Sequence, residues 1–181
     1  MKKSFKDKQG ICLDLGGGSN PNPGYVNIDI LDLPEVDIVH DLETFPWPLE
    51  DESVIRVIAS HILEHINPHK GVFINVMNEV WRVMKPGGQF AIAVPHAESK
   101  GYYQDPTHCN PINEMTMHYF DPDPEMQTTG PGLYNFYKPK PWKIIQQYFN
   151  ADSNLEILLV KRRMDFSYLR DTKYPSLEEK P

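Results

Sequence analysis

Between Ile11 and Pro95 the chain alternates short apolar runs with polar or glycine-rich connections. Ile11-Cys12-Leu13-Asp14-Leu15 is long enough for a buried strand, and Tyr25-Val26-Asn27-Ile28 reads as a second that ends at Asp29. Val36 to Val39 is a short third strand, followed by His40-Asp41-Leu42. Val54 to Ala59 (VIRVIA) is an apolar, β-branched fourth, and Gln89 to Val94 (QFAIAV) a fifth closed by Pro95. From Gly71 to Met84 the apolar positions are Val72, Phe73, Val76, Met77, Val80, Trp81 and Met84, a spacing that gives a helix with one apolar face. Lys85-Pro86-Gly87-Gly88 should stop that helix, with a cation, then proline, then glycine. Strands alternating with connections predict a Rossmann-like α/β fold, a mostly parallel sheet with its site above the carboxyl ends of the strands.

Beyond Pro95 the pattern weakens. His96 to His118 is polar and aromatic and is expected to cover the crevice, and Gly130 to Pro141 reads as an irregular brace. Trp142 to Phe149 and Leu155 to Lys161 are apolar runs separated by Asn150-Ala151-Asp152-Ser153-Asn154, which predicts a C-terminal antiparallel hairpin. Residues 1–10 should be frayed, 11–163 a single domain and 164–181 an irregular tail. A chain of 181 residues suits one well-buried core.

The densest chemistry lies between the first two strands. Gly16, Gly17 and Gly18 follow the first strand directly, and glycine lets a ligand approach the backbone or the chain take positive φ. A glycine run alone is an ordinary loop, but Asp29 at the end of the next strand is placed to accept hydrogen bonds from ribose hydroxyls. The dinucleotide fingerprint is incomplete: Pro21 stands where its third glycine should be, and Asp29 comes about half as far on as the roughly 20 residues expected. Pro21 and Pro23 discourage a first crossover helix, whose N-terminus would hold a pyrophosphate. The expected ligand is a nucleoside without phosphates.

Charge and cysteine content narrow the setting. A formal charge of −7, with no basic run beyond Lys161-Arg162-Arg163, leans away from nucleic acid as a partner. No apolar stretch approaches the roughly 20 residues needed to span a membrane. Two isolated cysteines, Cys12 and Cys109, make no disulfide framework, and no export signal opens the chain, so a cytoplasmic location is expected.

Taken together, DLGGGSNPNPGYVNIDI, HDLETFPWP, ASHILEHI and EVWRVMKPGGQFAIAVP resemble the class I S-adenosylmethionine-dependent methyltransferases, closest to small bacterial and phage-type members of the methyltransferase type 11 group. The resemblance runs from Ile11 to Pro95. It implies S-adenosylmethionine as cofactor, with Asp14, Gly16 and Gly18 beside its methionine part. It further implies Asp29 and Ile30 at the ribose, Asp41 and Leu42 at the adenine, and Ser60 and His61 between cofactor and substrate. A cofactor with ribose and adenine but no phosphate agrees with the curtailed first crossover.

Other signals weigh less. His61-Ile62-Leu63-Glu64-His65 matches the H-x-x-E-H zinc-peptidase motif, but that motif needs a long helix and here follows a strand, so no metal is expected. His61, His108 and Asp105 are the candidates for a base or acceptor contact, since histidine titrates near neutrality. Trp47, Trp81 and Trp142 are read as packing residues. The methyl acceptor is left open among small molecules, saccharides, proteins and nucleic acids. A non-catalytic binding or scaffold protein on the same fold is the alternative, and a zinc hydrolase a distant third.

Overall fold

The computed structural model describes residues 10–129, 134–151 and 153–162. The expected frayed start (Gly10 apart), the irregular tail and residues 130–133 of the brace lie outside the described residues.

One seven-stranded sheet organises the chain, in the order β3-β2-β1-β4-β5-β7-β6. Its strands are β1 (Ile11–Leu15), β2 (Val26–Asp29), β3 (Ile38–Val39), β4 (Val54–Ser60), β5 (Met84–Pro95), β6 (Trp142–Phe149) and β7 (Asn154–Lys161). The first five are parallel where they pair; β7 runs antiparallel to both β5 and β6, closing the sheet with the expected hairpin. Helix α1 (Val72–Val83) turns Phe73, Val76, Met77, Val80 and Val83 into the core, at the three-and-four spacing of a single helical face. It ends one residue before the expected Met84, whose backbone is already extended. Pro86 disfavours helical geometry at the residue before it, so the chain leaves the helix early.

Met84 instead opens β5 by pairing with Val54, and Lys85-Pro86-Gly87-Gly88 forms an irregularity inside the strand before pairing resumes at Arg56–Gln89. Gly87 sits at φ +81°, and a Cβ on Gly88 would lie 2.8 Å from Met84 Cε and 2.9 Å from the Lys85 carbonyl oxygen. The glycines thus serve the strand irregularity as well as the helix stop.

The two faces of the sheet differ. Leu13, Leu15, Val57, Phe90, Ile92 and Leu159 point to one side and are fully or almost fully buried beneath α1 and the segment after β5. On the other side the paired positions are Arg56–Gln89, Ile58–Ala91 and Ser60–Ala93, continued by Leu158 and Glu156 on β7 and Gln146 and Tyr148 on β6. All of these are partly or fully exposed, and among the described residues no helix packs over them. A doubly wound sheet carries helices on both faces; among the described residues here, helices cover only one.

The uncovered face follows from the short connection between β1 and β2. Residues 16–25 form turns, with no helix. Asp14 Oδ2 accepts hydrogen bonds from the Asn22 backbone N–H (2.7 Å) and from Asn22 Nδ2 (2.9 Å), folding the loop back onto the strand end. Asn27 ties the other side, accepting from the Gly17 N–H at 3.1 Å and donating to the carbonyls of Gly18 and Glu35. The tryptophans pack as expected: Trp47 and Trp142 are buried, and Trp81 donates to the Pro141 carbonyl while Lys161 Nζ sits 3.8 Å from its ring centroid.

Candidate functional site

Two cavities open at the carboxyl ends of the central strands. The first, of about 320 Å³, is lined by Gly16, Asp29, Ile30, Asp41 and Leu42, with Glu43, Ile62, His65 and Ile66 completing the wall. Gly16 adopts φ +66°, and a Cβ there would meet the Ile62 side chain at 2.7 Å, so glycine is required for this close approach. Asp29 is nearly buried. Its Oδ2 accepts from the Gly18 N–H at 3.0 Å and its Oδ1 from the Leu31 N–H at 2.9 Å. Each oxygen keeps a further lone pair, so a carboxylate fixed in orientation can also take ribose hydroxyls. Asp41 is exposed and accepts from the Glu43 N–H at 2.8 Å. Acids at two rims and apolar side chains between them suit a nucleoside rather than a phosphate.

Five of the expected cofactor residues, Gly16, Asp29, Ile30, Asp41 and Leu42, therefore share one cavity. Asp14 and Gly18 stand behind it: Asp14 holds Asn22, and Gly18 donates to Asp29. Ser60 lies apart, on the uncovered face, in a groove shared with Ala91, Ala93 and Glu156. Successive strand residues point to opposite sides, and Ala59 takes the buried side.

The second cavity, of about 330 Å³, is lined by His61, Glu64, His65, Pro95, Gly101, Gln104, Asp105, His108 and Asn154. It brings together all three expected catalytic candidates, and His65 lines both cavities. His61 sits at φ +55° just beyond β4, its backbone N–H donating to the Ala93 carbonyl at 2.8 Å. Its Nδ1 lies 3.3 Å from Glu64 Oε1. His108 Nδ1 is 2.7 Å from the Tyr102 carbonyl oxygen, which can only accept, so Nδ1 carries the proton and Nε2 the lone pair. That Nε2 is 3.9 Å from both Glu64 Oε1 and Asp105 Oδ2. Asp105 Oδ1 accepts from the Thr107 hydroxyl at 2.6 Å and the Thr107 N–H at 2.8 Å, and these bonds hold its carboxyl below the usual carboxylate range. Burial pushes the Glu64 carboxyl up, against the pull of the surrounding histidines.

The segment after β5 covers this cavity, as expected, and it is fastened there. The Cys109 and Asn110 N–H groups donate to the Glu64 carbonyl at 2.9 and 3.0 Å, and Asn110 Nδ2 donates to the Leu63 carbonyl at 3.0 Å. The H-x-x-E-H letters fall on a turn and a three-residue 3₁₀ helix, Leu63–His65, which lacks the long helix of a zinc peptidase. Glu64 and His65 are the site residues that sequence reasoning passed over, although the motif contained both.

Residues 18–92 match the family model described as a methyltransferase domain. Over that stretch the chain is similar to a methyltransferase domain. Among solved structures, a SAM-dependent methyltransferase from Archaeoglobus fulgidus shares 16% identity at a TM-score of 0.55, covering 83% of this chain and 85% of that one. A putative methyltransferase of Haloferax volcanii, solved in complex with the Trm112 methyltransferase activator, shares 13% identity at 0.53, covering 84% and 82%. The cyclase SpnF shares 12% identity at 0.54, covering 84% and 75%. These likenesses show that the chain shares their fold. No curated protein matches the sequence. The match over residues 18–92 supports S-adenosylmethionine-dependent methyl transfer, with the acceptor unidentified. Among the described residues, no helix is long and apolar enough to cross a membrane.

Proposed function

We propose that the first cavity binds S-adenosylmethionine, with ribose on Asp29 and adenine between Asp41 and Leu42, and that the acceptor enters the second. The observation that carries this reading is the junction at His65 of a nucleoside-shaped cavity bearing two acids with a cavity lined by titratable groups. When bound, the sulfonium supplies an already activated methyl group. The chain's part is alignment, which a fixed Asp29 and a closely approached Gly16 provide. Asp14 and Gly18 contribute by shaping the glycine turn.

In the second cavity, His61 is the first candidate to orient the acceptor or take its proton, and His108 with Asp105 the second. The imidazole would take the proton of an acceptor hydroxyl or amine and leave its lone pair free for the methyl group that the bound cofactor would supply. The negative net charge supports a small or polar acceptor over nucleic acid. Cys12 and Cys109 are both free thiols, which supports a reducing, cytoplasmic setting.

The cyclase among the structural neighbours supports a second reading, a protein that uses this fold for something other than methyl transfer. Titration calorimetry with S-adenosylmethionine, its demethylated product and NAD tests the pocket. Binding of the first two in preference to NAD is expected, and NAD binding alone would reject the assignment. Release of demethylated cofactor in the presence of candidate acceptors then separates an enzyme from a binding protein.

A further inference from the structure

Glu64, His65 and His108 each bring a ligating atom within 4.8 Å of those of the other two. Glu64 is the unusual member, for it is fully buried and neither carboxylate oxygen has a hydrogen-bond partner. A buried carboxylate left unsatisfied is costly, more so than a neutral polar group. The closest side-chain nitrogen, His61 Nδ1 at 3.3 Å, does not make a hydrogen bond with it.

The tautomers of the two histidines point the same way. His108 gives its Nδ1 proton to the Tyr102 carbonyl, leaving Nε2 as a bare lone pair on the side of Glu64. Thr107 donates its hydroxyl proton to Asp105 at 2.6 Å, so toward His65 Nδ1, 3.0 Å away, it can only accept. His65 therefore carries its proton on Nδ1 and its lone pair on Nε2. Each imidazole is oriented by an acceptor behind it, the arrangement found behind metal-ligating histidines. Two neutral imidazoles and one buried carboxylate are a donor set for a borderline divalent ion; magnesium and calcium prefer oxygen alone.

We propose that Glu64, His65 and His108 form a binding site for a divalent first-row transition ion such as zinc, open toward Gln104, Asp105 and Asn154. This assembly is not the peptidase motif. It uses the last two residues of H-x-x-E-H and recruits a histidine from the covering segment, which hydrogen bonds to the Glu64 carbonyl bring within reach. If the second cavity holds the acceptor, as argued above, the ion's open position would polarise the acceptor's oxygen or nitrogen. The site itself does not depend on that reading.

The test uses the full chain stripped with a chelator and freed of any affinity tag. Zinc should bind at one ion per chain in competition with a chromophoric indicator, and cobalt should give the intense visible absorption of a four- or five-coordinate ion. His108→Asn and Glu64→Gln should each weaken zinc binding by 100-fold or more. Asp105→Asn, which acts through Thr107 on His65, should weaken it about 10–100-fold. His69→Asn, at an exposed histidine outside the cluster, should leave it unchanged. Absence of stoichiometric binding, a cobalt spectrum of the free aqua ion, or affinities indifferent to His108→Asn and Glu64→Gln would overturn the proposal. Binding of S-adenosylhomocysteine, followed separately in the same proteins, reports folding. Its absence in wild type with zinc bound would reject the cofactor pocket and leave the ion site standing.

Discussion

Replacing Asp29 with alanine removes two kinds of interaction that can be measured apart. In the free protein its oxygens accept from the N–H groups of Gly18 and Leu31, at 3.0 and 2.9 Å, and these bonds fix the glycine turn to the end of β2. Hydrogen bonds to a charged group contribute roughly 1.5–3 kcal/mol, and the freed amides can partly turn to water, so unfolding free energy should fall by about 2–4 kcal/mol. In the complex the same carboxylate is the proposed acceptor for ribose. Losing that contact costs roughly 1.5–3 kcal/mol, about 10- to 150-fold in affinity. Calorimetric titration of S-adenosylhomocysteine well below the melting temperature reads the second loss without the first. Asp41→Ala should weaken binding less, because the adenine amine is a neutral donor and Asp41 is exposed. A folded Asp29→Ala protein with an unchanged Kd would refute the placement of the ribose.

His61→Ala should lower turnover by about 10²- to 10⁴-fold while leaving cofactor affinity nearly intact, since His61 lines only the second cavity. Single-turnover kinetics alongside titration separates the two effects; lost cofactor binding with turnover preserved at saturation would move His61 to the cofactor side. Glu79→Gln should destabilise the fold by about 2–3 kcal/mol, roughly 4–12 °C in Tm by calorimetry, since Glu79 accepts from Arg82 Nε and the Trp47 N–H, both at 2.7 Å. Burial works to raise the Glu79 carboxyl, but the bonds from Arg82 and Trp47 prevail and hold it below its ordinary value. Its stabilisation is thus fully present above the ordinary carboxylate pKa and is lost as pH falls through the lowered one. Wild type and Glu79→Gln should therefore converge in urea melts at low pH.

Much of this architecture is legible in local pattern. β1 occupies Ile11–Leu15 as its apolar run predicts, α1 falls within one residue of its expected ends, and the C-terminal hairpin forms where two apolar runs flank a polar turn. Asp29 and Asp41 converge on one cavity because both stand at carboxyl ends of adjacent parallel strands. The less legible features depend on distance or on parity. Lys85-Pro86-Gly87-Gly88 reads as a helix stop, and only the pairing of Met84 with Val54 reveals a strand that starts before it. Glu64 joins His108 through hydrogen bonds between segments more than forty residues apart, which no local spacing encodes. Ser60 falls on the side opposite Ala59 because successive strand residues face opposite ways.

The bare side of the sheet bears on how stability responds to temperature. Unfolding a protein raises its heat capacity in proportion to the apolar surface newly wetted, typically about 12–15 cal/mol/K per residue. With no helix over them among the described residues, Ile58, Ala91 and Leu158 are already partly wetted in the folded state, which lowers the increment expected on unfolding. A smaller heat-capacity increment flattens the curve of free energy against temperature. The protein should therefore give up stability gradually on either side of its optimum, with heat and cold denaturation set further apart than in a chain of equal length and equal maximum stability whose sheet is sheathed on both sides.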